Sequence, residues 1–354
     1  MKTLVLNLGS TSTKAGVFED GKPLAVRTIR HDPHTFSAYA TLMDQKDERK
    51  RSAEEWFLGE GYSFRDLDVI AARGGMVRPV PGGIYLVDDA AAGDAASGRY
   101  GDHASNLGLV IAREWSAEHG VPAIFADPPT TDEMTDVARV TGVRGAPRRS
   151  VFHALNCKRA VRGWCGASGA DPLTGRFVVA HMGGGITVAA VDGLRVVDVT
   201  NGIDGEGPFT PERSGALSVK AVLGLLEASG GDGASLYKRL YTRGGLMSWF
   251  GTTDVGALEK RAQDEPEVRL VLDAMVYNVA KHIGAMAAAL DGRVDRVLLT
   301  GGIAHNAPMM ERLIAKVSFI AGCSVLPGED ELGALADAAR RYALGLEEAK
   351  SVAG

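Results

Sequence analysis

Gly9-Ser10-Thr11-Ser12-Thr13 is a run of five small residues between two apolar segments, Thr3 to Leu8 before it and, after Lys14, Ala15 to Glu19. One glycine and four hydroxyls at the end of a strand gather backbone N–H groups and O–H donors around one point. Such a concave cluster suits a phosphate. The same residue types also build an ordinary hairpin turn, so on this stretch alone both readings stand. Asn7 adds a polar side chain to an otherwise apolar strand, just before the turn.

The pattern returns once. RFVVAHMGGGITVAAVDGLRVVDVTN (176–201) repeats the order of TLVLNLGSTSTKAGVFEDGKPLAVRT: strand, tight turn, strand, Asp-Gly hairpin turn, strand. The tight turn begins at Gly9 in one copy and Gly183 in the other. The hairpin turn is Asp20-Gly21 in one and Asp192-Gly193 in the other. A repeat at about half the chain length means two related domains rather than a short-period array. Two such turns facing one another could hold the ends of a polyphosphate. That raises the phosphate reading of Ser10, Ser12 and Gly183, Gly184 and Gly185 above the plain turn.

Other chemistry-bearing residues sit at strand ends. Arg73 closes the run Asp66 to Ala72 and precedes two glycines and a Pro/Gly-rich loop. In open α/β sheets, ligand contacts gather at the carboxyl ends of strands. Asp127 follows the strand Val121 to Ala126 and precedes two prolines. It suits a polar contact or a turn cap. His153 precedes an amphipathic stretch and on its own reads as a structural histidine. Thr210-Pro211-Glu212 predicts a helix start, with Leu217, Val219, Val222, Leu223 and Leu226 as its apolar face. That puts Arg213 in a first helical turn, where a cation opposes the macrodipole, and so marks it as functional. Gly301-Gly302-Ile303 ends the strand 296–300, where a flat adenine or ribose could lie on the backbone. Glu329-Asp330-Glu331 could favour a helix N-terminus or help hold Mg²⁺ through water.

The elements that must position these groups are alternating strands and helices. Apolar spacing predicts core-facing helices at 103–119 and 268–290, and a last helix over about 332–350. The stretch 31–50 is polar with little period. The chain has 354 residues, enough for about two domains, with 45% hydrophobic and 23% charged residues and a net charge of −5. There is no basic excess to hold nucleic acid and no run long enough to span a membrane. Cys157, Cys165 and Cys323 fit no metal spacing. Met1-Lys2 leads straight into a strand with no cleavage site, so a cytoplasmic setting is expected. The 45 glycines, well above the average share of ~7%, cluster in turns after apolar runs, as in an α/β enzyme with several ligand loops.

Taken together, NLGSTSTK at 7–14, ARGG at 72–75, FADPP at 125–129, VFHALN at 151–156, HMGGGITVAAVDG at 181–193, NGIDGEGPFTPERSG at 201–215, TGGIAHN at 300–306 and PGEDEL at 327–332 resemble the acetate and butyrate kinase family of the actin-like, sugar-kinase-like phosphotransferases. The chain is nearer the butyrate kinase branch. It is short for an acetate kinase, has ARGG followed by VRPVPGG in place of a His-Arg pair and His-Gly-Gly, and has Gly184 where acetate kinases carry an Asn. The resemblance implies an α/β protein of two duplicated actin-like (ribonuclease H-like) domains, with mixed sheets flanked by helices and the active site in the interdomain cleft. The expected domains are 1–155 plus 333–354, and 156–332, the second binding nucleotide.

The resemblance also implies roles. Ser10, Ser12 and Lys14 with Gly183, Gly184 and Gly185 hold phosphates. Gly301, Gly302, Ile303 and Asn306 hold adenosine. Arg73, Asp127, His153, His181 and Arg213 form the catalytic shell. Asn7 lies on the metal side, and the metal-linked acid is Asp330 or Glu331. The implied reaction is reversible transfer from ATP, with Mg²⁺, to butyrate, giving butanoyl phosphate and ADP. Isobutyrate, propionate or acetate are alternative acids. A small carboxylic acid is the expected partner, with no nucleic acid or membrane, in a homodimer or higher homo-oligomer. A sugar kinase, which wants an Asp base such as Asp127, and a non-catalytic ATP-switched clamp are more distant alternatives. Neither G-x-x-x-x-G-K-[ST] nor G-x-G-x-x-G follows a strand here.

Overall fold

A computed structural model describes residues 1–32, 36 and 39–353. Part of the polar stretch 31–50 therefore lies outside the described residues. Contacts divide the chain into two units, Met1–Thr131 with Asp330–Gly354, and Asp132–Glu329.

In the first unit, β1 (Lys2–Leu8), β2 (Ser12–Glu19), β3 (Lys22–Arg30), β4 (Val69–Arg73), β5 (Ile84–Leu86) and β6 (Ala123–Ala126) form one sheet in the order β3-β2-β1-β4-β6-β5. β1, β2 and β3 make an antiparallel meander, β4 and β6 run parallel to β1, and β5 is antiparallel to β6. In the second unit, β7 (Arg176–Met182), β8 (Ile186–Asp192), β9 (Arg195–Val199), β10 (Arg296–Gly301) and β11 (Cys323–Pro327) repeat the plan in the order β11-β10-β7-β8-β9. The duplication legible in the sequence is thus a duplicated sheet.

Both faces are covered over the central strands β1, β4, β6, β7, β8 and β10, which is why these read as near-continuous apolar runs, while edge strand β3 is exposed. Alternation sorts the side chains. Leu4, Leu6, Leu8, Ile70 and Ala72 join one core cluster with Trp115 of helix Ser105–His119. Residues of the other parity, including Asn7 and Arg73, face the opposite side, where helix Glu331–Ala343 packs on β1 and β4. Its buried Ala334, Ala336, Ala338 and Ala339 let it lie close. In the second sheet, Val178, Ala180 and Met182 pack with the long helix Pro266–Ala289, whereas Phe177 and Val179 pack with helix Ala154–Ser168.

Three expectations change. Residues 132–155 fall with the second unit, not the first, because the Thr135 N–H donates to the Val197 carbonyl, and Met134 and Phe152 join the core around Phe177. The second hairpin turn is centred on Gly193 and Leu194, at φ 56° and 64°, since Asp192 still pairs with Arg195. Two-residue turns of this hand need positive φ at both central positions. Leu194 tolerates it while burying its side chain against the same core. Lastly, the helix expected from Thr210 begins only at Val219, capped by Ser218. The Thr210 hydroxyl takes the N–H groups of Glu212 and Arg213 (3.1 and 3.0 Å), so the segment closes into a turn. A threonine competing for nearby backbone donors is the reason. Val219 and Leu223 are exposed rather than core-facing.

Candidate active site

The first turn is closed by a bond from the Gly9 N–H to the Ser12 carbonyl (2.8 Å). Ser10 and Thr11 are exposed and Ser12 is half-buried. The carbonyls of Gly9, Ser10 and Ser12 point back to the guanidinium of Arg49, at 2.9, 2.9 and 3.2 Å. Lys14 is exposed and stands directly opposite Asn7 across β1 and β2, so the two share a face of the sheet.

On that face Asn7, Arg73 and Glu331 come together. The Asn7 amide N–H donates to the Glu331 carboxylate, Arg73 Nη2 lies 3.1 Å from Glu331 Oε1, and Arg73 Nη1 lies 3.4 Å from the Asn7 side-chain oxygen. Asn7 and Glu331 are buried. The structure separates the two candidate acids. Asp330 accepts from the Gly333 N–H (3.0 Å) and caps the last helix, while Glu331 joins the cluster. Among the described residues, no group of three His, Cys, Asp or Glu side chains gathers for a metal. One buried carboxylate beside an amide oxygen fits Mg²⁺, which keeps waters and takes its remaining ligands from phosphate. Asp127 directly follows Ala126, which pairs with Arg73 across β4 and β6. At φ 41° it accepts from the Gly83 N–H (2.9 Å) and donates its own N–H to the Gly83 carbonyl (3.1 Å), fastening the loop after Pro81.

In the second unit, the glycine turn is closed from the Gly183 N–H to the Gly185 carbonyl (2.9 Å). Glycine on both sides of it leaves room for two charged side-chain ends. A Cβ on Gly183 would stand 2.6 Å from Glu329, and one on Gly185 would stand 2.6 Å from an Arg213 nitrogen. The Thr210 hydroxyl donates to the Gly184 carbonyl (2.6 Å), tying the turn to the Arg213 loop. Arg213 lies over the Tyr241 ring, and its buried Nε has no hydrogen-bond partner among the described residues. Its other neighbour is a cavity of about 340 Å³ lined mainly by apolar groups, among them Leu217, Val222, Leu226, Leu236 and Leu240.

His153 and His181 stack with ring centroids 4.3 Å apart. Strand parity turns His181 toward the helix that His153 precedes. Thr187, opposite His181 in β8, bonds His153 Nδ1 (2.8 Å), and His181 Nε2 lies 3.4 Å from Glu329 Oε1. Among the described residues, the buried His181 Nδ1 has no hydrogen-bond partner.

A larger cavity of about 810 Å³ runs from Gly183 and Gly184 to Gly302, Ile303 and Asn306. Its size suits a drug-sized or nucleotide-sized ligand. Asn306 also caps helix Ala307–Val317 through the Met309 N–H (3.1 Å). Gly301 does not line this cavity. Its positive φ of 94° lets the backbone press against Met182 and pair with Gly328. Sequence reasoning missed Arg49, Thr187, Thr210 and Tyr241. Only Thr187 carried a signal, since its register opposite His181 follows from the hairpin.

Residues 170–332 match the acetokinase family, whose members are ATP-dependent carboxylate kinases. Among solved structures, acetate kinase from Porphyromonas gingivalis is 18% identical with a TM-score of 0.78, over 96% of this chain and 98% of that one. A propionate kinase from Francisella tularensis is 16% identical with a TM-score of 0.76, over 95% and 98%. Acetate kinase from Entamoeba histolytica is 13% identical with a TM-score of 0.76, over 95% and 98%. The chain thus has their actin-like α/β fold of two mixed sheets flanked by helices. Among the described residues, no helix is long and apolar enough to cross a membrane.

Proposed function

We propose that this protein transfers phosphate reversibly between ATP and a short-chain carboxylic acid of about butyrate size, giving an acyl phosphate and ADP. The observation that carries this reading is the setting of Arg213, which has the glycine turn at Gly185 on one side and an apolar cavity of about 340 Å³ on the other. A guanidinium so placed can take a carboxylate whose hydrocarbon tail enters the cavity while a phosphoryl group approaches over the glycines. Acetate offers only a methyl group to such a space, which favours the longer acid. The family match over residues 170–332 supports the reaction class.

The acid is already ionised at pH 7, by analogy with a side-chain carboxyl of pKa below about 5, so it needs no general base. The difficulty is bringing one anion to another. A carboxylate oxygen attacks the γ-phosphorus, the bond to the β-phosphate oxygen breaks, and ADP leaves with that electron pair. No net proton moves. Cations offset the repulsion and stabilise the charge spreading on the equatorial oxygens: Arg213 is the candidate in the second unit, and Arg73 and Lys14 are those in the first. His181, oriented by Glu329 and by stacking on His153, offers a further donor to the moving group. In the first unit Ser10 and Ser12 offer donors for phosphate; in the second the Gly183 to Gly185 turn does the same, and the 810 Å³ cavity takes the nucleoside. Glu331 and Asn7 would hold Mg²⁺, which when bound neutralises phosphate charge. In this reading Asp127 fastens the loop through the Gly83 N–H, and an acid that is already ionised asks for no base from it.

Incubation with MgATP, hydroxylamine and acids of two to six carbons tests this. Hydroxamate is expected, with the highest turnover for butyrate or isobutyrate. ADP release with sugars and no hydroxamate with any acid would reject it.

A further inference from the structure

Arg49 is fully buried on helix Lys46–Gly59. Its five N–H donors go to neutral oxygens: the carbonyls of Gly9, Ser10 and Ser12, the Thr13 hydroxyl and the Gln45 amide. Phe36 lies against its face, 4.7 Å from the guanidinium carbon to the ring centroid. No carboxylate hydrogen-bonds it among the described residues; burial pushes its pKa down to about 10, with the Glu48 charge pulling the other way, so it stays charged at neutral pH. A buried cation with no anion bonded to it is costly to keep, and arginine is almost never fully buried without an ion pair.

The geometry of the turn gives that charge a use. In a planar trans peptide the carbonyl of one residue and the N–H of the next point in opposite directions. With the Gly9 and Ser10 carbonyls drawn in to Arg49, the N–H groups of Ser10 and Thr11 are turned away from it. Among the described residues neither donates to a protein acceptor, and both residues are exposed. Arg49 thus orients the peptide planes of the turn and adds a positive field behind the free donors.

We infer that Arg49 is a positioning residue that shapes the first phosphate turn from behind, and that the missing anion is the phosphate chain bound on the turn's outer side. This rests on the phosphate reading of the turn given above. It goes further by assigning the orientation and affinity of that site to a side chain that need not touch the ligand.

Inorganic tripolyphosphate is the probe, measured by calorimetry against wild type, Arg49→Lys and Arg49→Met, alongside KM values for MgATP and for butyrate. Arg49→Met should weaken tripolyphosphate binding and raise the KM for MgATP by about tenfold or more, as loss of charge-assisted bonding does. The KM for butyrate should move less than about twofold, since the acid contacts in the proposal come from Arg213. Tripolyphosphate should also raise the Tm of wild type more than that of Arg49→Met, a difference that a merely structural arginine would not produce. Wild type that binds neither tripolyphosphate nor MgATP overturns the phosphate reading itself. Wild-type binding together with equal binding by folded Arg49→Met overturns only the role of Arg49. Where Arg49→Met does not fold, Arg49→Lys decides, because an ammonium cannot hold three carbonyls in one plane. Unchanged affinity in that variant overturns the inference, and a loss of about threefold or more with native circular dichroism supports it.

Discussion

Tyr241 lies under the guanidinium of Arg213, with the arginine carbon 4.6 Å from the ring centroid. The second contact, from Nη2 to the phenol oxygen, is long at 3.4 Å. The ring face is therefore the main support for the arginine. A cation over an aromatic face is worth about 1–2 kcal/mol when partly desolvated. Tyr241→Leu should lower kcat/KM for the acid by about fivefold to thirtyfold, while Tyr241→Phe stays within about threefold. Equal losses in both variants would move the support from the ring to the hydroxyl.

Arg213→Ala removes the cation itself. We expect kcat to fall by about 10²–10³, as loss of one transition-state donor does. Steady-state kinetics with saturating MgATP checks this, and near-normal turnover would remove Arg213 from the chemistry.

The cavity beside Arg213 should set acid length. Each methylene that enters it is worth about 0.8 kcal/mol, or roughly fourfold, so butyrate should be preferred to acetate by about tenfold or more in kcat/KM. Leu226→Phe narrows the space and should bring that ratio toward one by losing butyrate activity. A preference for butyrate unchanged in that variant would place the acid tail elsewhere.

Glu331 and Asp330 are neighbours with different work. Glu331→Gln keeps the shape but leaves Arg73 without its carboxylate, and should raise the Mg²⁺ concentration needed for half-maximal turnover. Asp330→Ala removes a helix cap and should cost roughly 1 kcal/mol of stability, read from urea unfolding. A swapped pattern, with the Mg²⁺ requirement following Asp330, would reverse the assignment.

His31 predicts a pH dependence. Its ring lies against the Thr13 hydroxyl at 2.9 Å and stacks on Phe36. Burial holds its pKa below the usual histidine range, the Arg49 charge lowers it further, and Glu48 pulls the other way. With the folded pKa below the unfolded value of about 6.5, the unfolded chain binds more protons in between. This contribution to stability is complete above pH ~6.5 and is lost as pH falls through the lower, folded pKa. His31→Gln should flatten the slope of urea midpoints between pH 5 and 8. An unchanged slope would assign it to other groups.

Much of this site could be read from residue types because its frame is local. The hydroxyl turn, the glycine turn and Arg73 each sit at the end of an apolar strand, and the repeat showed that two of them are copies. The remainder depends on tertiary choices that no window reveals. Thr210-Pro211-Glu212 has the composition of a helix start, yet one hydroxyl captured two backbone donors and made a turn. Asp330 caps the last helix and Glu331 begins it, a one-residue difference in where the helix starts. Arg49 lies in a polar stretch without period, and its burial follows from carbonyls forty residues earlier in the chain.

Glu331 also sets an order of events in synthesis. It reaches back across 324 residues to Asn7 on the helix that covers one face of the first sheet. All of Asp132–Glu329 emerges from the ribosome before that helix exists. The unit that is translated first is therefore completed last, and until then the face bearing Asn7 and Arg73 waits uncovered, a surface for chaperones to guard.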